Sequence, residues 1–137
     1  MKKTLPVGVL CLSIVIALII SWKTSLRIPK MNISGNYWSF GAVQNIKSIK
    51  HAFVIENLGN ADLTLAAWPS CHKCINPVLD VTRIPPNGKA ELTVELYIVK
   101  EGLNEAYVMM ETNDPKSRTE KVTVKAIAAR AREKQRP

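Results

Sequence analysis

From Tyr37 onward the chain reads in twos. Leu92, Val94, Leu96 and Ile98 alternate with Glu91, Thr93, Glu95 and Tyr97, the period of a strand with one buried and one wet face. Ile49, His51, Phe53 and Ile55 form one face of a second strand, with Lys50, Ala52, Val54 and Glu56 opposite. Leu63 and Leu65 alternate with Thr64 and Ala66, and Val108, Met110 and Thr112 with Tyr107, Met109 and Glu111. Val122, Val124 and Ala126 alternate with Thr123 and Lys125. A weaker strand opens the set over 37–43, and a short one lies near 78–81. After Pro29 no stretch long enough for a helix shows a 3.6 period. The turns between runs are Asn57-Leu58-Gly59-Asn60, Pro85-Pro86-Asn87-Gly88 and Thr112-Asn113-Asp114-Pro115, rich in residues that tolerate left-handed backbone or preset φ. About seven short strands with turns at short intervals predict an all-β, antiparallel β-sandwich over residues 37–128.

The amino terminus has another pattern. No charge falls between Thr4 and Trp22, and Leu5 to Ile20 is almost wholly apolar. Each CH₂ of that run left in water costs about 0.8 kcal/mol. A membrane span needs about 20 such residues and a signal-peptide core about 7–15, so by length the run suits either, and two details favour an anchor. No small-x-small cleavage signal follows, and Trp22 stands where an aromatic marks the interface. Cys11 lacks the small preceding residue of a lipoprotein signal and reads as part of the span. Residues 1–22 are therefore expected to be a transmembrane or signal-anchor helix, 23–36 a stalk and 129–137 a basic, solvated tail. Lys2 and Lys3 before the span nearly balance Lys23, Arg27 and Lys30 after it. The downstream cysteines favour an oxidising compartment, so the domain is expected outside.

The net charge of +8 on 137 residues invites a nucleic-acid reading, but its placement opposes one. The first thirty residues carry five uncompensated cations, and Arg130, Arg132, Lys134 and Arg136 exceed Glu133 by three. Residues 31–129 hold ten basic and ten acidic side chains. A neutral domain has no phosphate-binding footprint. No phosphate loop, Ser–His–Asp set or carboxylate pair is present, so no catalysis is expected.

One segment carries candidate chemistry: Cys71-His72-Lys73-Cys74. Covalent haem attachment needs His after the second Cys, and residue 75 is Ile. A thioredoxin-like site needs a βαβ frame and a following helix, whereas Asn76-Pro77 follows here. Cys71 and Cys74 are spaced to hold zinc or cuprous copper, with His72 adjacent and His51 expected on a neighbouring strand, but no second ligand pair is evident. The plainest reading is a disulfide or thiol pair pinning the 69–83 loop. His51 reads as an ordinary strand residue, buried and hydrogen-bonded or partly exposed, and Trp38 and Trp68 as packing residues near the sandwich edge.

Phe40-Gly41-Ala42-Val43 and the run His51 to Leu63, with its Phe-x-x-x-Asn-x-Gly strand and turn, resemble a bacterial immunoglobulin-like domain: domain-of-unknown-function family 1573, a relative of Hydin-type sandwich domains. The likeness continues at Ser70-Cys71 through Cys74, Ile84 to Gly88 and Thr112-Asn113-Asp114-Pro115. Here two residues, not one, separate the cysteines, and the Pro-Gly turn is one residue longer. The resemblance implies an immunoglobulin-like sandwich of about seven strands on an exported or anchored protein, with no family activity.

The expected function is a single-pass module of the bacterial inner membrane, its domain facing the periplasm or outside, that binds or scaffolds an envelope protein. It needs no cofactor and no nucleic acid. Two alternatives stay open: a metal-binding or thiol-redox accessory protein using Cys71 and Cys74, and a small accessory subunit of a membrane complex.

Overall fold

The computed structural model describes residues 26–129. The expected 1–22 span, the first residues of the stalk and tail residues 130–137 lie outside them. Among the described residues no helix is long and apolar enough to cross a membrane. The domain is all-β: β1 (Met31–Ile33), β2 (Tyr37–Val43), β3 (Ser48–Asn57), β4 (Leu63–Pro69), β5 (Ile75–Leu79), β6 (Arg83–Ile84), β7 (Lys89–Tyr97), β8 (Gly102–Thr112) and β9 (Thr119–Ala128). Two sheets, ordered β1-β3-β7-β5 and β2-β9-β8-β4-β6, form an immunoglobulin-type sandwich.

The alternation read from the chain sets the faces. Phe53, Ile55, Leu92, Val94 and Leu96 from one sheet meet Leu63, Val108, Met110, Val122 and Val124 from the other, all at most 1% exposed. Because side chains of a strand alternate between faces, fixing these inward fixes their neighbours outward.

Two strands beyond the expected seven are short. β1 lies in the segment assigned to the stalk, paired to β3 from Met31↔Asn57 to Ile33↔Ile55, and β6 pairs two residues of β4. The expected antiparallel pattern has one exception, since β2 runs parallel to β9. β1 is antiparallel to β3, and the chain then crosses to the other sheet through Gly35, at φ 86°, without reversing. It therefore enters β2 alongside β9 in the same direction.

Polar turn residues lock β1 and its approach to the body. Asn57 is fully buried. Its Oδ1 accepts from Lys30 N (3.3 Å) and Gly59 N (3.0 Å), while Nδ2 donates to Ala61 O (2.7 Å) and Ile84 O (2.9 Å). Asp114, 2% exposed, accepts from Met31 N (2.8 Å) and Lys116 N (2.8 Å). A Cβ on Gly59 would collide with the Ile28 carbonyl oxygen and the Lys30 nitrogen, so only glycine lets the 28–30 segment pass. The residues that carry the family resemblance thus act as fasteners of the fold. Asn104 does the same for the β7–β8 loop, its Oδ1 accepting from Val99 N and Lys100 N.

These bonds also define two ends. Pro29, the 58–62 turn, the 85–88 turn and the 113–118 turn gather at one. Val43, Lys47, Cys74, Ile98 and Ala129 lie at the other, where Ile98 N donates to Lys47 O and Ala129 N to Val43 O. β9 alone, ten residues long, separates them by about 33 Å.

Candidate functional site

The two outer faces differ in chemistry. The four-stranded sheet turns out Lys50, Glu56, Lys89, Glu91, Thr93 and Glu95, with ion pairs Lys50–Glu95 at 3.8 Å and Lys89–Glu56 at 2.6 Å. Val54 and Val78, 38% and 53% exposed, also lie on this face, each set opposite a polar residue of β7, Glu91 and Thr93. Lys89 and Asn32, bonded to the Glu56 carboxylate, hold it below its ordinary value.

The five-stranded sheet turns out Trp68 on β4, Tyr107 and Met109 on β8, and Tyr37 on β2, 36–56% exposed. Register places them side by side, with Trp68 opposite Met109, Met109 opposite Lys121, and Tyr107 and Tyr37 on either side of Thr123. Lys121 Nζ lies 4.3 Å from the Tyr107 ring centre and Lys125 Nζ 5.2 Å from that of Tyr37, the geometry of cation–π contact. A hydrogen bond with Tyr37, then charge interaction with Tyr37 and Glu105, raises the Lys125 ammonium above its ordinary value. Leu103 and Ile127, each 51% exposed, continue the face toward the far end. A contiguous aromatic and apolar patch rimmed by charges is the composition of a protein-binding surface.

Sequence reasoning set Tyr107 and Met109 in the outward phase of their strand, and Trp68 as a packing residue. The structure places Trp68 outside, 56% exposed. The missed signal is that 107–110 is apolar in both phases, so β8 offers hydrophobic surface on two sides.

Cys71 and Cys74 form a disulfide, Cα–Cα 5.2 Å, in the turn that carries the chain from β4 in one sheet to β5 in the other. Cys74 N and Ile75 N both donate to Cys71 O at 3.1 Å. Ser70 clamps the turn to β8, its N donating to Tyr107 O (2.9 Å) and its Oγ accepting from Tyr107 N (3.1 Å). His72 is exposed at the tip. His51 lies across the domain, since β3 and β5 sit on opposite sides of β7. Among the described residues no three His, Cys, Asp or Glu side chains gather to hold a metal ion. A disulfide closing a sequence separation of three stabilises by about 2 kcal/mol or less, because the entropic gain grows with loop length. Replacing both cysteines with Ser is expected to leave the fold intact and lower stability by no more than that, as denaturant titration will show.

His51 closes the open side between β2 and β3. Its ring stacks on Trp38 (3.8 Å between centres) and meets Phe53 edge-on (4.7 Å). Burial holds its pKa below 6.5. Below pH 6.5 the unfolded chain therefore binds more protons than the folded one. The contribution of the neutral ring is whole above 6.5 and is lost as pH falls from there through the lowered value. We expect Tm to decline over that window, and His51→Phe, which keeps the stacking, to remove the slope. Glu56 acts only at lower pH, where its own stabilisation fades below 4.5.

Comparison with known proteins gives a consistent fold. The family described as "HYDIN/CFA65/VesB-like, Ig-like domain" matches residues 29–127. A crystal structure of a protein of unknown function from Porphyromonas gingivalis W83 superposes with TM-score 0.67 at 24% identity, over 78% of this chain and 50% of that one. The chain thus spans about half of that relative. The ASH/PapD-like domain 7 of human CEP192 gives TM-score 0.60 at 10% identity, over 74% of this chain and 87% of that domain. The YadV chaperone gives 0.52 at 15%, over 74% and 53%. No curated protein matches the chain by sequence.

Proposed function

The chain belongs to the HYDIN/CFA65/VesB-like family of Ig-like domains, and from that premise we propose that it is a non-catalytic binding module of the bacterial envelope. Residues 1–22 anchor it in the inner membrane, the sandwich stands on the periplasmic or outer side, and an envelope protein docks on the outer face of the five-stranded sheet. The narrower likeness to family 1573 fits the same reading. The observation that carries it is the asymmetry of the two faces. One sheet carries ion pairs with two separate valines, Val54 and Val78, while the other groups Trp68, Tyr107, Met109 and Tyr37 in solvent. Aromatic side chains at the centre of a contact are the usual energetic anchors.

Trp68→Ala is therefore expected to weaken capture of the partner by the full-length chain at least 30-fold, about 2 kcal/mol. Stability should change little, because Trp68 is mostly exposed. Thr93→Ala, on the opposite sheet, serves as the control. Equal binding by both variants, measured by co-purification from membranes and then by titration with the purified partner, would remove the face from the account.

A further inference from the structure

We propose that the Pro29 end of the sandwich rests on the lipid surface from which the chain emerges, so that the domain is seated on the bilayer and held upright. The inference rests on the anchor reading and adds to it a surface and an orientation.

The connection between span and domain is short. The expected span ends at Trp22, and Leu26 is already bound to the domain, its carbonyl oxygen accepting from Asn60 Nδ2 (3.2 Å). Ile28 is held twice, its N donating to Asn60 Oδ1 (2.7 Å) and its O accepting from Asn60 N (3.0 Å). Lys30 O accepts from Leu58 N and Met31 N donates to Asp114. The chain between Trp22 and Leu26 reaches at most about 14 Å when fully extended, of which one headgroup layer takes about 5–7 Å, so the domain stands within about 10 Å of the lipid surface. There is no slack for a free stalk.

This end also displays apolar and basic side chains together. Leu26, Ile28 and Leu58 are 78%, 43% and 52% exposed; Ile28 and Leu58 line a shallow groove of about 580 Å³ together with Lys30, Lys116 and the buried Asp114, whose carboxylate is taken up by the Met31 and Lys116 amides. Arg83 and Lys89 are paired with Asp62 and Glu56. Arg27, Lys30 and Lys116 have no carboxylate partner among the described residues. Apolar tips among unpaired cations suit a bilayer interface that contains anionic headgroups. The far end, which carries Lys100 and Ala129, stands about 30 Å away.

The test uses the full-length chain in vesicles of phosphatidylethanolamine with a minority of phosphatidylglycerol, the lipids carrying brominated acyl chains. A fluorescent amino acid replaces residue 58 in one variant and residue 100 in another. The position-58 probe is expected to shift to the blue and lose most of its emission to the brominated lipid, and the position-100 probe to lose none. Flotation of the same vesicles separates the two ideas. A chain that floats while both probes stay equally bright overturns the seating and leaves the anchor standing. A chain that does not float overturns both.

Discussion

Asn57→Ala is expected to lower stability by about 3 kcal/mol or more, a fall in Tm of roughly 15 °C for a domain of this size. The side chain is fully buried and makes four hydrogen bonds. Alanine would orphan the Lys30 and Gly59 amides and the Ala61 and Ile84 carbonyls, and a buried group left unsatisfied costs about 1–3 kcal/mol. Some of the four would recover water, since Lys30 and Ala61 lie near the surface. Asn57→Asp should be no better, because it removes both donors and sets a charge against two carbonyls. Equilibrium unfolding of the full-length chain in detergent checks this. A loss under about 1 kcal/mol would mean that the turn holds itself and that Asn57 is not its fastener.

Phe53→Ala is the second large effect, at about 3–5 kcal/mol. Phe53 is 1% exposed between the sheets and carries the edge contact with His51. Truncation therefore empties a core position and loosens the Trp38–His51 closure above it. Its neighbour Val54 points out and is 38% exposed, so Val54→Ala should change stability by about 0.5 kcal/mol or less. The contrast between adjacent residues tests the period-two alternation on which the fold reading was built. Comparable losses at both positions would contradict the register of β3.

Much of the architecture was legible because inward and outward positions alternate along nearly every long strand. The 37–43 strand coincides with β2, and the 91–98 and 49–56 patterns lie within a residue or two of β7 and β3. What escaped lacks a local signal. β1 is three residues whose place is set by Asn57 and Asp114, distant in sequence, and β6 is two residues borrowed from a loop. The parallel pairing of β2 with β9 follows from the crossover at Gly35, which no alternation reveals. Cysteine spacing left three readings open, and the clamp of Ser70 on Tyr107 that fixes the turn joining Cys71 to Cys74 is tertiary. The face with Trp68, Tyr107 and Met109 was half visible, since β8 is apolar on both sides, but only register shows that these side chains meet.

The proposals fit one geometry. With the Pro29 end on the bilayer the strands stand away from it, the aromatic face looks sideways along the membrane, and the disulfide turn points outward. A partner in the same membrane meets that face without bending the chain.

The most direct measurement is photo-crosslinking in living cells, with a benzophenone amino acid at position 107 on the five-stranded sheet or at position 93 on the four-stranded one. The account predicts a single discrete adduct from position 107, lost with Trp68→Ala, and none from position 93. Adducts of equal yield from both faces, or from position 93 alone, would contradict it.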